Sequence, residues 1–322
     1  MAPTPLALGR NMKSLRGRDL ISIADLSSEE LQFIIQTALD FKRRFYAGER
    51  IIPVLRGKTL LMIFQKPSTR TRISFEQAMV QLGGYVISLS WKEMQLGRGE
   101  TVADTARVLS RYVDGIVARV YNHGDLIELA KHATIPVINA LSDKEHPCQI
   151  IGDMLTILEK KGRLAGLTIA FVGDGSDNVL HSLLLASAKL GINIKIGTAE
   201  GYDPDPEIMK LAVEDANRTG ASIEVLRSPE DAVKGADVVY TDVWVSMGQE
   251  AEREKRIRDL SRFRVTPELM SLAKSDAIFM HCLPAHRGME VTDEVIDGPQ
   301  SVVWDQAENR LHAQKAILAL LL

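Results

Sequence analysis

The stretch QKPSTRTRISFEQA, residues 65–78, sets Ser68, Thr69, Arg70, Thr71 and Arg72 where the apolar run TLLMIF gives way to a helical apolar period. Helix N-termini carry unpaired N–H groups and a partial positive charge, so they attract anions. Added hydroxyls and a guanidinium, whose fork of donors matches oxyanion geometry, predict a phosphate seat. Residues two apart on a helix face nearly opposite ways. Arg70 is therefore expected to face the ligand, and Arg72 an internal carboxylate or carbonyl. The segment lacks the glycines and the Gly-Lys pair of a P-loop. The plainer alternative is a capped helix with solvated arginines.

Four further clusters carry candidate chemistry. In HPCQIIGDMLTILEKKG, Pro147 suits the first helical position and makes His146 the expected N-cap. A neutral His146 and Gln149 at one helix start can read a small planar amide, one donating to its oxygen and the other accepting from its N–H. The alternative is a capping histidine beside a packed Cys148. FVGDGSDNVLHS has the look of a dinucleotide-binding glycine turn, but Asn178 stands where the third glycine belongs, which argues against NAD. Asn178 could hold a carboxylate or simply cap its helix. In YTDVWVSMGQEAEREK, Asp242 ends a strand and could bind an ammonium or cap the next turn; EAEREKRIR after it reads as a solvated charged helix face. In MHCLPAHRG, His281, Cys282 and His286 invite a metal or a Cys–His nucleophile. No third ligand at the usual spacing supports zinc, and no base can be assigned to the thiol. Arg310, expected in the first turn of the last helix, is either an anion contact or a salt-bridge residue.

These clusters fall at the ends of apolar runs. SSEELQFIIQTALDFKRRFYAG reads as a helix capped by Ser27, with Glu30 completing a capping box and Gly48 stopping it. KTLLMIF, YVISLS, DGIVARV and IPVINAL read as strands alternating with helices. LTIAFVG, INIKIG, SIEVL, DVVYTDV, AIFMHCL and VVWD continue the strands, before a final helix ENRLHAQKAILALLL. Strand–helix alternation predicts an α/β protein of two domains, each a parallel sheet flanked by helices, with the active site in the cleft between them. The expected boundary lies near residues 146–149, dividing 1–145 from 146–307.

Bulk properties agree. A chain of 322 residues is long for one core. The 39 Lys and Arg against 42 Asp and Glu leave a net charge of −3, which argues against nucleic acid as the main partner. The longest apolar runs are too short for a membrane span. Two distant cysteines and no CxxC pair fit a reducing cytoplasm, without a disulfide framework or structural zinc. The segment MAPTPLALGRNMKSLRGR reads as a basic arm before the first folded element. Its cations follow the apolar run, unlike those of a secretory signal; an organelle transit peptide is the alternative.

Taken in order, one per strand tip, STRTR, HPCQ, DVWVSMG and HCLP resemble the carbamoyltransferases, in particular those that act on ornithine. The resemblance spans nearly the whole chain. It implies that carbamoyl phosphate and L-ornithine give L-citrulline and phosphate by direct amine attack through a tetrahedral intermediate. Ser68, Thr69, Arg70 and Thr71 would hold the phosphate, and Arg119 would contact phosphate and carbamoyl oxygen. His146 and Gln149 would bind the carbamoyl group, with Cys282, Leu283 and Arg310 completing the pocket. The chemistry would centre on Arg119, His146 and Cys282. The Leu283–Pro284 bond is expected to be cis. Asn178 would take the α-carboxylate of ornithine, Asp242 and Ser246 its α-ammonium, and Met247 a backbone contact. GDGSDNV carries one residue more than the family's usual turn, so Asp177 could share the role of Asn178. The resemblance further implies that residues 308–322 pack back on the first, carbamoyl phosphate-binding domain. Gln95 would reach a neighbouring subunit's site, in a homo-oligomer built from trimers. Phosphate leaves as a stabilised anion, so no metal or other cofactor is required. Other amines are alternatives: aspartate would need extra cations, putrescine would leave the α-group contacts unused, and acetylornithine would need a different HPCQ region.

Overall fold

A computed structural model describes residues 14–246 and 248–322; most of the basic arm and Met247 lie outside the described residues. The chain opens with helix α1 (Ser28–Tyr46), then alternates through β1 (Thr59–Phe64), α2 (Thr69–Gln81), β2 (Tyr85–Ser90), α3 (Val102–Leu109), β3 (Gly115–Arg119), α4 (His123–His132) and β4 (Val137–Leu141). Helix α5 (Pro147–Lys161) leads to β5 (Thr168–Val172), α6 (Asn178–Lys189), β6 (Asn193–Gly197), α7 (Pro206–Thr219), β7 (Ile223–Leu226), α8 (Pro229–Val233) and β8 (Val238–Tyr240). The chain ends through α9 (Arg253–Leu260), α10 (Pro267–Met270), β9 (Ile278–Met280), α11 (Asp293–Ile296) and α12 (Val303–Leu321).

Two sheets result, both wholly parallel, in the orders β2-β1-β3-β4 and β7-β6-β5-β8-β9. Strand order reverses between β1 and β3 in the first sheet and between β5 and β8 in the second. Neighbouring loops diverge at such points and leave a crevice at the carboxyl ends of the strands. The segments STRTR, after β1, and Arg119, ending β3, flank the first crevice. GDGSDN, after β5, and Asp242, after β8, flank the second.

The local signals act as expected at the helix starts. Ser27 and Glu30 form the capping box of α1. Ser68 caps α2 and accepts from the Thr71 N–H, and Pro147 opens α5 after His146. One expected strand is not found. Beside β9 there is a single bridge, Ser301 to Phe279, in which only Val302 of VVWD takes part, donating its N–H to the Phe279 carbonyl, and the chain enters α12 at Val303. There the buried residues Val303, Gln306, Asn309 and Arg310 follow a helical spacing that the four-residue apolar run concealed. Arg310 thus lies two turns inside the last helix rather than in its first.

Helix α12 packs on α1, α2 and α5, while α5 also meets β4 and α6. One apolar cluster runs from Leu60 and Phe64 of the first sheet through α5 and α12 to Ile169 and Phe171 of the second. Separate clusters cover the outer faces of the two sheets. The halves are therefore held in register by a shared core, with their crevices facing one cleft.

Candidate active site

The cleft has a volume of about 540 Å³ and is lined from both halves. The first half supplies Ser68, Thr69, Arg70, Thr71 and Arg119; α5 adds His146 and Gln149, and α12 adds Arg310. The second half supplies Asn178, Asp242, Ser246, Cys282 and Leu283. Gln95 does not line it and is exposed on a short turn after β2.

Three guanidiniums dominate the inner wall. Among the described residues, no carboxylate lies within 4.0 Å of those of Arg70, Arg119 or Arg310. Arg72, by contrast, pairs with Glu76 one turn on at 2.8 Å, on the exposed face of α2. The opposite facing of the two arginines follows from their spacing. Arg310 Nη1 donates to Gln149 Oε1 at 2.6 Å, and its Nη2 reaches Thr71 Oγ1 at 3.4 Å. The buried Nε atoms of Arg119 and Arg310 and the Nδ1 of His146 have no partner in the protein. Burial, then Arg310, pushes the Arg119 guanidinium down to about 10. Burial, reinforced by Arg310, Arg119 and Arg70, holds His146 well below the usual imidazole range. A neutral histidine among clustered, unneutralised cations is a site built for an anion of more than one charge.

His146 is the N-cap residue of α5, but its side chain does not cap. Its backbone N–H donates to Ser182 Oγ at 2.9 Å, so the imidazole is left to the cleft.

The second half presents the opposite character. Asp242 is buried, its Oδ1 accepts from the Val243 N–H at 2.8 Å, and burial raises its carboxyl above the usual range. Asp177, not Asn178, caps α6, accepting from the N–H groups of Val179 and Leu180. Its Oδ1 accepts from the Ser246 hydroxyl at 3.2 Å. Asn178 is thereby free to face the cleft, with one amide hydrogen donated to the Ser142 carbonyl at 2.6 Å. Gly175 permits this turn, since a Cβ there would collide with the Tyr202 carbonyl.

The HCLP segment follows β9. The Leu283–Pro284 bond is cis. His281 is committed at both nitrogens: Nε2 bonds Glu290 at 3.0 Å and Nδ1 accepts from the Leu283 N–H at 2.9 Å. It shapes the loop rather than serving as a base. Asp242, His281 and Cys282 place ligand atoms within 4.8 Å of one another, but the imidazole lone pair among them is already taken. Enclosure in the cleft, then Asp242, pushes the Cys282 thiol well above its usual range, the reverse of what a nucleophilic thiolate needs.

Sequence reasoning missed the mouth of the cleft. Lys66, Glu250 and Arg253 line it, with Lys66 and Glu250 facing each other across it at 4.0 Å. The segment EAEREKRIR, expected to be a solvated face, also buries Arg256, which meets Asp174 at 2.6 Å. That carboxylate lies in the β5–α6 turn, far away in sequence, so no local spacing announces the pair.

Comparison with known proteins agrees with this geometry. Residues 18–159 match the family profile described as the aspartate/ornithine carbamoyltransferase carbamoyl-P binding domain, and residues 165–321 match the Asp/Orn binding domain of the same family. An ornithine carbamoyltransferase of Staphylothermus marinus is 63% identical over 310 residues, covering 96% of this chain and 99% of the relative. An anabolic ornithine carbamoyltransferase of Pyrococcus furiosus is 58% identical over 311 residues, covering 96% and 98%. The solved structure of the ornithine carbamoyltransferase from Pyrococcus furiosus superposes with a TM-score of 0.93 at 57% identity, covering 96% of this chain and 98% of that one. That from Gloeobacter violaceus gives 0.85 at 48% identity, covering 96% and 99%. The chain belongs to the aspartate/ornithine carbamoyltransferase family.

Proposed function

We propose that the protein is an ornithine carbamoyltransferase, converting carbamoyl phosphate and L-ornithine to L-citrulline and phosphate. The observation that carries this is the convergence of three unneutralised arginines and a neutral histidine opposite Asp242 and Asn178. The first set suits a phosphate and a carbamoyl group; the second suits the two α-groups of an amino acid.

In this reading Ser68, Thr69, Arg70 and Thr71 seat the phosphate, while Arg119 and Arg310 neutralise it. His146 and Gln149 hold the carbamoyl group beside Cys282 and Leu283. Asn178 offers its second amide hydrogen to the ornithine α-carboxylate, and Asp242 and Ser246 take the α-ammonium. The side-chain amine attacks the carbamoyl carbon. Negative charge then builds on the former carbonyl oxygen, where donors from Arg119, His146 and Thr71 stabilise it; loss of one such donor typically costs about 10²–10³ in rate. The C–O bond to phosphate breaks, the attacking nitrogen gives up one proton to the departing phosphate, and phosphate leaves, held by the same arginines. Most of the remaining acceleration is positioning.

The division of labour broadly follows the two sheets: residues 1–145, with the last helix docked on them, serve carbamoyl phosphate, and residues 146–307 serve ornithine while also lending His146, Gln149, Cys282 and Leu283 to the carbamoyl group. The protein acts as a trimer, or an assembly of trimers, with Gln95 serving a neighbour's site. Supporting this, Gln95 sits away from its own cleft, and the edge strand β2 and α2 expose Tyr85, Ile87, Ile73 and Val80. We place it in the cytoplasm, in arginine biosynthesis. Both cysteines are free, and no helix among the described residues is long and apolar enough to cross a membrane.

The test is to incubate purified protein with carbamoyl phosphate and, separately, ornithine, acetylornithine, putrescine and aspartate, and to measure the ureido product. Citrulline from ornithine, with little product from the others, is expected. Turnover with a different amine would overturn the assignments of Asn178, Asp242 and Ser246.

A further inference from the structure

Behind the cleft lies a carboxylate with none of the roles above. Asp153 stands one turn beyond Gln149 on α5 and is wholly buried. Three donors converge on it. Its Oδ1 accepts from Gln149 Nε2 and from Gln306 Nε2, each at 2.8 Å, and its Oδ2 accepts from the Tyr240 hydroxyl at 2.8 Å. Among the described residues, no cation lies within 4.0 Å of it. Burying an unpaired carboxylate is costly, and an apolar side chain would pack the same space at less cost.

The arrangement has a consequence for Gln149. A carboxamide has a donating end and an accepting end. Asp153 engages the donating end, while Arg310 Nη1 donates to the accepting end at 2.6 Å. Reversing the amide would set its oxygen against a carboxylate and its NH2 against a guanidinium. Both neighbours therefore enforce one orientation, with Oε1 on the side of the cleft-lining Arg310.

We propose that Asp153 is a positioning residue that fixes the Gln149 carboxamide as a preset acceptor for the N–H2 of the carbamoyl group. The inference rests on the placement of Gln149 against that group in the proposed function. An acceptor held in place favours an acyl phosphate whose acyl group can donate. Acetyl phosphate, which carries a methyl group instead, leaves unused the lone pair of Gln149 Oε1 that Arg310 does not occupy, and binds less well. Asp153 thus acts on acyl-phosphate selectivity without touching substrate.

The experiment measures binding of carbamoyl phosphate and of acetyl phosphate to the wild-type protein and to Asp153→Ala, Asp153→Asn and Gln149→Ala variants. Asp153→Ala is expected to weaken carbamoyl phosphate about tenfold, the scale of one hydrogen bond, and to leave acetyl phosphate within about twofold. Asp153→Asn, which keeps the shape and one acceptor, falls between, and decides the matter if the alanine variant does not fold. In a Gln149→Ala background either substitution should have no further effect on the affinity ratio. A folded Asp153 variant with the wild-type ratio, or with equal losses for both ligands, would overturn the inference. If Gln149→Ala itself leaves carbamoyl phosphate binding intact, the placement of Gln149 fails instead, and this inference with it.

Discussion

Of the three arginines on the inner wall, Arg70 comes from the first turn of a helix, where its guanidinium adds to N–H groups suited to an anion. Arg119 and Arg310 are held by a strand end and a buried helix face, so their positions are set by the fold before any ligand arrives. Replacing Arg70 with Gln removes a charge-assisted contact and leaves the frame intact. Carbamoyl phosphate affinity should fall about 10- to 100-fold, measured by calorimetry, with ornithine binding to the remaining complex little changed. Unchanged carbamoyl phosphate affinity would remove Arg70 from the phosphate seat. Titration is a second test at this scale. His146 is held well below the usual imidazole range, so the pH profile should show no inflection at the ordinary imidazole value of about 6.5. The attacking amine, with a free pKa of about 10, must lose its proton. Activity should therefore rise through mildly alkaline pH, and a flat profile with chemistry limiting would contradict direct amine attack.

At the scale of elements, the strand tips were legible because each polar cluster interrupts an apolar run, and because Ser27, Ser68 and Pro147 mark helix starts by local chemistry. The capping of α6 was harder to read. Asp177 and Asn178 are adjacent and both suit a cap; only the backbone decides that Asp177 takes it. The start of α12 was not legible, since VVWD has the composition of a strand and the burial of Gln306 and Arg310 depends on distant partners. The same helix carries Lys315, with 2% of its surface exposed, held by Gln81 Oε1 at 2.9 Å and stacked near Phe45 at 5.0 Å. Burial pushes its ammonium down to about 8, against a usual value of about 10.5. Between those values the unfolded chain binds more protons than the folded one, so this group makes the protein more stable as pH rises from 8 to 10.5. Lys315→Met removes the buried charge. It should raise the melting temperature at pH 7 by on the order of 2 °C, and that gain should shrink by pH 10. A gain equal at both values would mean that the charge is not the source.

For the whole molecule, the core shared along α5 and α12 ties the two halves together around a cleft that both of them line. The Lys66–Glu250 pair lies at its open edge, where an exposed ion pair contributes little to stability. Nothing in a single chain's pattern says which residues serve another copy, and Gln95 stands exposed beyond its own cleft. If each site takes Arg119 from one subunit and Gln95 from the next, two inactive variants can repair each other. Arg119→Ala ruins the subunit's own site, and Gln95→Ala ruins the neighbour's. In trimers reassembled from an equal mixture, a site is intact when its own subunit carries Arg119 and its neighbour carries Gln95. Random assembly makes that true for about a quarter of sites. The mixture, dissociated and reassembled, should therefore recover about a quarter of wild-type activity, while each variant treated alone recovers none. Failure to regain activity, with light scattering showing intact trimers, would mean that Gln95 does not serve a neighbouring cleft.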